Sequence, residues 1–427
     1  MSLDANSHGL WGASAPPAPP TDALLGPAET DVAVIGAGYT GLSTALHLAE
    51  AGVAVTVLEA EAIGFGGSGR NVGLVNAGMW VKPEALLATL GPDYGDRLLR
   101  FLGGAPQVVF DLVARHGIAC EAVHAGTLHC AVGAEGLADV EDRARQWRAY
   151  QAPVELLDAE ETRWRIGGGR YAGALLDRRA GTIQPLAYAR GLAGAALRAG
   201  ARIHTGSPVG GVERAGAGWR LTTPTGALLA RRVVAAGDAY ASRVFPELRG
   251  QQVHLPYFNF ATAPLPAVLR AGILAGGEGC WDTREVLSSF RLDAAGRLVF
   301  GSVGALEAPD AAVHRAWAER AMTRVFPQLA GIPFESAWYG KIGMTADNLP
   351  RLHVLGEGIL AVAGYNGRGI APGTVFGRAL AEHLLGERPL EAMPLPVAKA
   401  EAAPLRAVKE AGYRVGAGLV HLVSDRF

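Results

Sequence analysis

The chain has 427 residues, 49% hydrophobic and 19% charged, with 58 glycines, which is enough apolar material for packed cores in two domains and excludes a disordered or low-complexity polypeptide. Its formal charge of −1 supplies no basic field for nucleic acid. The three cysteines, Cys120, Cys130 and Cys280, lack CxxC spacing, which argues against a disulfide framework or a metal site and fits a reducing cytoplasm.

Residues 1–29, rich in Pro and Ala, read either as an ordered arm or as a floppy leader. They lack a charged n-region followed by an apolar h-region, and no run in the chain reaches the ~18 apolar residues of a membrane span. Asp31 to Glu59, DVAVIGAGYTGLSTALHLAEAGVAVTVLE, then holds every part of a dinucleotide-binding βαβ unit in order. Val32–Ile35 reads as a buried parallel strand. Gly36, Gly38 and Gly41 turn it into a helix that carries Leu42, Ala45, Leu46 and Ala49 on its apolar side, and Val53–Leu58 reads as the second strand. Gly36 makes the tight turn, Gly38 lets backbone approach a pyrophosphate, and Gly41 allows close packing of helix on strand. Tyr39 and Thr40 open the helix, whose free N–H groups and dipole suit phosphates. Glu59, followed by Ala60, ends the second strand where an acid accepts hydrogen bonds from ribose hydroxyls. Its charge repels a 2′-phosphate and argues against NADP.

The next segment, Ala62 to Gly78, AIGFGGSGRNVGLVNAG, has no use in a domain that binds NAD alone. With it the chain resembles the D-amino-acid-oxidase-like superfamily of FAD enzymes, nearest to the γ-glutamylputrescine oxidoreductase, iminodiacetate oxidase and glycine and sarcosine oxidase types. The resemblance implies that Gly66, Gly67, Ser68, Gly69, Arg70 and Asn71 form a loop under the cofactor. It continues through Gly181–Pro185 (GTIQP), the helical run to Ala199, the strand Arg202–Thr205, and Arg232–Tyr240 (RVVAAGDAY) with its turn at Gly237. It closes with Trp338–Pro350 (WYGKIGMTADNLP) and Gly364–Ile370 (GYNGRGI). That last motif brings Gly364, Gly367, Arg368, Gly369 and Ile370 to the flavin and leads into a helix from about Ala371 to Leu385, whose N-terminus would steady negative charge on the pyrimidine. Val209 is expected on the cofactor too. Relatives that attach flavin covalently use His or Cys in specific loops. Arg70 holds the nearest equivalent position here, so FAD is expected to be non-covalent.

The implied fold class is α/β: a Rossmann-type, glutathione-reductase-like FAD-binding domain interleaved with an α+β substrate domain on an antiparallel sheet. The expected FAD domain takes 30–85, 165–250 and 335–390. The substrate domain takes a helical insertion, 86–164, and a strand-rich one, 251–334, with alternating stretches at Val253–Thr262, Val286–Leu292 and Arg297–Val303. Residues 391–427 form a tail whose helical periodicity in Leu405, Val408 and Tyr413 predicts packing back on the body.

The resemblance implies oxidation of a C–N bond: a neutral small amine or amino acid gives hydride to flavin N5, and oxygen or another acceptor takes the electrons. A secondary amino acid, an N-substituted glycine or a γ-glutamylated amine would serve. An oxidase releasing H2O2 is preferred over a dehydrogenase feeding a quinone or carrier, and over a flavin monooxygenase. The candidate side chains are Lys341, as a buried ammonium drawing oxygen or a substrate acid, and Arg291, as a bidentate carboxylate clamp. Arg368 stands near the flavin where relatives more often carry His. Tyr365 and Asn366 follow in the flavin loop, and Tyr257 belongs to an aromatic set with Phe258, Phe260, Trp281 and Trp338.

Overall fold

The computed structural model describes residues 7–241, 244–307 and 310–424. Its first sheet runs in the order Arg351–Gly356, Ile359–Ala363, Gly226–Ala235, Gly26–Ile35, Val55–Leu58, Arg202–His204. All neighbours in this row are parallel except the outermost pair, Arg351–Gly356 with Ile359–Ala363. The period-two alternation of a strand sorts its side chains. Val32 and Val34 join a core with Leu42 and Leu46 of the helix Tyr39–Glu50, while Ala33 and Ile35 face a second core with Leu221 and Leu228. The helices Pro185–Arg198 and Ile370–Leu384 pack against Tyr39–Glu50. A meander of Gly211–Ala215 and Gly218–Thr222 hangs from Gly226–Ala235. Helix and strand positions in this half follow the sequence pattern closely.

The second sheet has eight strands, ordered Phe334–Met344, Val253–Thr262, Leu298–Val303, Ser288–Leu292, Gly279–Asp282, Thr127–Ala131, Gly173–Asp177, Val154–Leu157. It is antiparallel except at one seam, where Gly279–Asp282 runs parallel to Thr127–Ala131. The sheet differs from expectation in its membership. The segment read as a helical insertion supplies Thr127–Ala131 and Val154–Leu157 as well as helices. Gly173–Asp177 and Phe334–Met344, expected on the nucleotide side, are strands of this sheet. Thr127–Ala131 and Gly173–Asp177 are buried almost throughout, and such a strand shows no alternation from which to say which sheet it joins.

The N-terminal segment is an ordered arm from its first described residues. Trp11 is fully buried, meets Trp338 edge-on at 5.4 Å and donates its indole N–H to Asn71 O at 2.8 Å. The first strand begins within this arm, at Gly26. The tail forms the helix Arg406–Val423, which packs on Val253–Thr262 and on the helix Asp310–Val325. It does so through Ala417 and His421; of the residues expected to pack, Leu405 and Val408 lie outward, and Tyr413, partly exposed, borders the large cavity.

His421 anchors that helix. Its Nδ1 lies 2.8 Å from His314 Nδ1, its Nε2 lies 3.3 Å from Ser302 Oγ, and its ring stacks on Trp317 at 3.9 Å. Burial, with His314 and Arg320 adding repulsion, pushes His421 down to about 3, and burial lowers His314 as well. The unfolded chain protonates these imidazoles below about pH 6.5 and the folded one does not, so their contribution to stability falls as pH drops from about 6.5 toward 3. We expect amide protection across 406–423 to decline between pH 7 and pH 5 relative to that of Gly26–Ile35. A parallel decline in both would refute this role of the histidine pair.

Candidate active site

A cavity of about 1120 Å³ lies between the two sheets and takes lining residues from both, somewhat above the ~300–1,000 Å³ range of ordinary ligand sites. Its nucleotide end is built by the first βαβ unit. Gly38 precedes the helix Tyr39–Glu50 in extended conformation, and a β-carbon there would come within 3.0 Å of Ser68 Oγ. A β-carbon on Gly41 would stand 2.0 Å from Gly36 O, so helix and strand meet at a spacing only glycine permits. Glu59 accepts the N–H of Ala37 at 2.7 Å and of Glu61 at 2.9 Å, while burial raises its carboxyl above the usual range. Glu59, Ala60, Pro208 and Val209 line this end.

The loop after the second strand is pinned from several directions. Ser68 Oγ accepts the Tyr39 N–H at 3.1 Å, and Tyr39 Oη donates to Ser68 O at 2.5 Å. Asn71 Nδ2 donates to Gly67 O at 2.9 Å and its Oδ1 accepts from Gly73 N at 2.8 Å. Arg70 packs its guanidinium on Phe65 at 4.4 Å, and its carbonyl accepts from Asn259 and Trp338. Gly67, Ser68, Arg70 and Asn71 line the cavity; Gly69 instead packs against Gly64 O.

The remaining motifs are fastened to one another. Asp238, after the Gly237 turn, accepts the Gly364 N–H at 2.7 Å and faces Gln252 Nε2 at 3.3 Å; burial raises its carboxyl. Tyr365 Oη lies 2.7 Å from Thr40 Oγ1, joining the last motif to the first. Burial also raises the Tyr365 phenol. Asn366, at φ 52°, accepts Thr345 N–H at 2.8 Å through its side chain, and its carbonyl accepts the Trp80 indole N–H. Tyr365 and Asn366 therefore line the cavity with their polar atoms already engaged, which suits holding the loop rather than moving protons.

A further stretch of the lining combines residues of the second sheet with Trp80 and with Arg368 of the last motif. Trp80 and Trp281 meet edge-on at 4.9 Å, His129 stacks on Trp281 at 3.4 Å, and the Arg368 guanidinium lies 4.7 Å from Trp80 and 4.8 Å from Trp281. Arg368 Nη1 donates to Ala77 O at 3.0 Å; burial first, then Arg143, lower it to about 9. Tyr257 Oη lies 2.6 Å from Ser289 Oγ and burial raises its phenol. Asp282 accepts the N–H groups of Arg284 and Ser288 at 3.2 and 3.1 Å, and burial raises its carboxyl to about 6.

Five of the six predicted catalytic side chains therefore line one cavity: Lys341, Arg368, Tyr365, Asn366 and Tyr257. Lys341 is exposed on the cavity wall and not buried, with Nζ 6.0 Å from the Tyr240 ring. Arg291 is not part of the lining. It shares a face with Ser289, which does line the cavity, but two residues further, about 7 Å along the strand, it lies beneath the N-terminal arm. There it donates to Ile183 O and Leu292 O and packs on Trp11 at 5.7 Å. Phe258, Phe260 and Trp338 belong to the core. Sequence reasoning missed Trp80, His129, Arg143 and Asp282, and weighed Asp238 only as a feature of a flavin monooxygenase. Arg143 had a signal, since it falls on the apolar face of its helix with Val140, Ala144 and Trp147.

A Rossmann sheet whose glycine turn, acid and pinned loop meet at one cavity, closed by a second, largely antiparallel sheet, defines a dinucleotide-dependent redox enzyme. The chain belongs to the FAD-dependent oxidoreductase (DAO) family: the family model described as FAD dependent oxidoreductase matches residues 31–383. Over 398 residues, 90% of each chain, it is 33% identical to γ-glutamylputrescine oxidoreductase of Escherichia coli (strain K12). Its structure is similar to glycine oxidase from Geobacillus kaustophilus, with TM-score 0.71, 22% identity, and coverage of 88% of this chain and 100% of that one. It is also similar to iminodiacetate oxidase from Chelativorans sp. BNC1, with TM-score 0.67, 20% identity, and coverage of 87% and 100%; these two likenesses bear on the fold. The residues present fit FAD, since the Gly38 cradle, the Glu59 carboxylate and the loop 66–71 lie along the same cavity. Among the described residues no helix is long and apolar enough to cross a membrane, and no cluster of His, Cys, Asp or Glu could hold a metal.

Proposed function

We propose that this enzyme oxidises the C–N bond of a small amine or amino acid, as an oxidase that passes the electrons to oxygen and releases H2O2, with FAD held non-covalently, in the cytoplasm. The observation that carries the reading is that the aromatic and cationic group of Trp80, Trp281, Tyr257 and Arg368 lines the same cavity as the nucleotide motifs. The curated relatives named for γ-glutamylputrescine and glycine support an amine or amino acid as substrate; a secondary amino acid, an N-substituted glycine or a γ-glutamylated amine fits. Bound FAD supplies a two-electron acceptor for the hydride leaving the α-carbon.

The protein must place that C–H bond and keep the amine neutral. The indoles of Trp80 and Trp281, locked edge-on, offer rigid apolar surface to the substrate body. Arg368 places a fixed positive charge beside them, which disfavours a second cation and so favours the free amine over its ammonium form. Lys341 holds another positive charge on the cavity wall, where oxygen would gain negative charge.

Purified yellow protein is mixed anaerobically with primary, secondary and acidic amines while the flavin band near ~450 nm is followed. Bleaching by one amine class, and return of colour with H2O2 on admitting air, is the expected result. Bleaching by none of the amines, with bleaching by NADPH, would replace the reading by a monooxygenase. Return of colour only with a quinone would make the enzyme a dehydrogenase. Lys341→Met is expected to retain flavin and to slow the oxygen-dependent half-reaction at least about tenfold, a loss of ~1.4 kcal/mol of transition-state stabilisation. Normal stopped-flow traces in both half-reactions would remove Lys341 from the site.

A further inference from the structure

We propose that Arg143 and Arg368 together form a carboxylate subsite, so that the substrate is an amine carrying a carboxylate, which these two guanidinium groups seat on the cavity wall. The inference rests on the amine reading and specifies its substrate.

Two buried cations stand close together here without a carboxylate between them. Arg143 is 8% and Arg368 7% exposed. The hydrogen bonds that they make among the described residues go to neutral carbonyls, Arg143 Nη2 to Trp80 O at 2.9 Å and Arg368 Nη1 to Ala77 O at 3.0 Å. The Nε of each, and Nδ1 of His129 beside them, are buried with no hydrogen-bond partner. A buried donor left unpaired is costly, more so when charged. Such groups persist where a ligand completes them.

Nearby acids are spoken for. Asp177 pairs with Arg179 at 2.6 Å, and Asp139 and Asp142 pair with Lys82 at 2.9 and 2.8 Å. Asp282, the acid on the facing strand, is held by its own loop's backbone. His129 is pushed well below its usual range by burial and then by Arg143 and Arg368, so it stays neutral and does not answer their charge.

The position is open to a ligand. Asn76, His129, Arg143, Trp281 and Arg368 line both the main cavity and a water-sized hollow of about 20 Å³ behind it. An anion entering from the main cavity thus meets donors on several sides. Arg guanidinium groups suit carboxylates because their planar N–H pairs match both oxygens. The role first expected of Arg291 falls instead to a residue of the helical insertion and one of the flavin loop.

The test begins with binding and does not depend on turnover. The flavin spectrum of the holoenzyme is titrated with acetate and, as the neutral isostere, with acetamide. We expect a saturable perturbation by acetate alone, weakened at least about tenfold in Arg143→Met and partly restored in Arg143→Lys. Absence of any acetate effect on the wild type, an equal effect of acetamide, or an undiminished effect in Arg143→Met would each overturn the subsite, and the first two outcomes need no variant to fold. The second arm compares an amino acid with its decarboxylated amine in anaerobic bleaching. A higher rate at low concentration for the acid, lost in Arg143→Met, supports the proposal; equal rates overturn it. Failure of every amine to bleach the wild type would refute the amine reading while the acetate titration still decided the subsite.

Discussion

Gly38→Val yields a folded but colourless protein. Gly38 lies just ahead of the helix Tyr39–Glu50, and even a β-carbon there reaches within 3.0 Å of Ser68 Oγ, which itself accepts the first N–H of that helix. The two γ-methyls of Val would fill the space through which a pyrophosphate approaches the helix N-terminus, removing backbone donors and dipole together. At least about a 100-fold loss of FAD affinity is expected, ~2.7 kcal/mol. Gly38→Ala should fall between, because the atom it meets is a side-chain hydroxyl that can rotate away. Absorbance near ~450 nm per mole of protein, with circular dichroism to confirm folding, reads the result. A yellow Val variant with wild-type flavin content would place the cofactor elsewhere.

Trp281→Ala retains flavin and loses most of the activity toward amines. Trp281 is 6% exposed and holds three neighbours at once: His129 at 3.4 Å, Trp80 at 4.9 Å and the Arg368 guanidinium at 4.8 Å. Its removal leaves a void in the cavity wall and frees Arg368 to shift. A misplacement of about 1 Å can cost about 100-fold in rate, so kcat/KM is expected to fall at least that far. Stability should drop by roughly 3 kcal/mol, the usual scale for a large aromatic removed from a buried site. Wild-type kcat/KM in a correctly folded Trp281→Ala protein would exclude this wall from substrate placement.

Much of the nucleotide half was legible in the sequence because its signals are local. A buried strand, a glycine turn, an apolar helix face and a terminal acid lie within the thirty residues around Gly36 and Glu59, and the structure holds them in that order. The helix expected from about Ala371 begins at Ile370. The strands expected at Val253–Thr262 and Arg297–Val303 form within those bounds. The substrate half was less legible. Its eight-stranded sheet joins residues more than a hundred positions apart, as where Cys280 pairs with Leu128, and no local period encodes that choice of partner.

The same division runs through the site. Sequence alone determined the dinucleotide fold and the family of motifs around the flavin, since local spacing fixes backbone conformation over a few turns. Tertiary structure alone decided the direction of each cation. Arg291 shares its strand face with Ser289 and Arg143 falls on the apolar face of its helix, and neither segment says which of the two reaches the cavity. Packing puts Arg291 under Trp11 and against Ile183 O, and puts Arg143 beside Arg368, because the arm covers one end of the second sheet while the helical insertion reaches the cavity at the other. Burial of a charge is decided by what long-range contacts bring near it, and those contacts exist only in the folded chain.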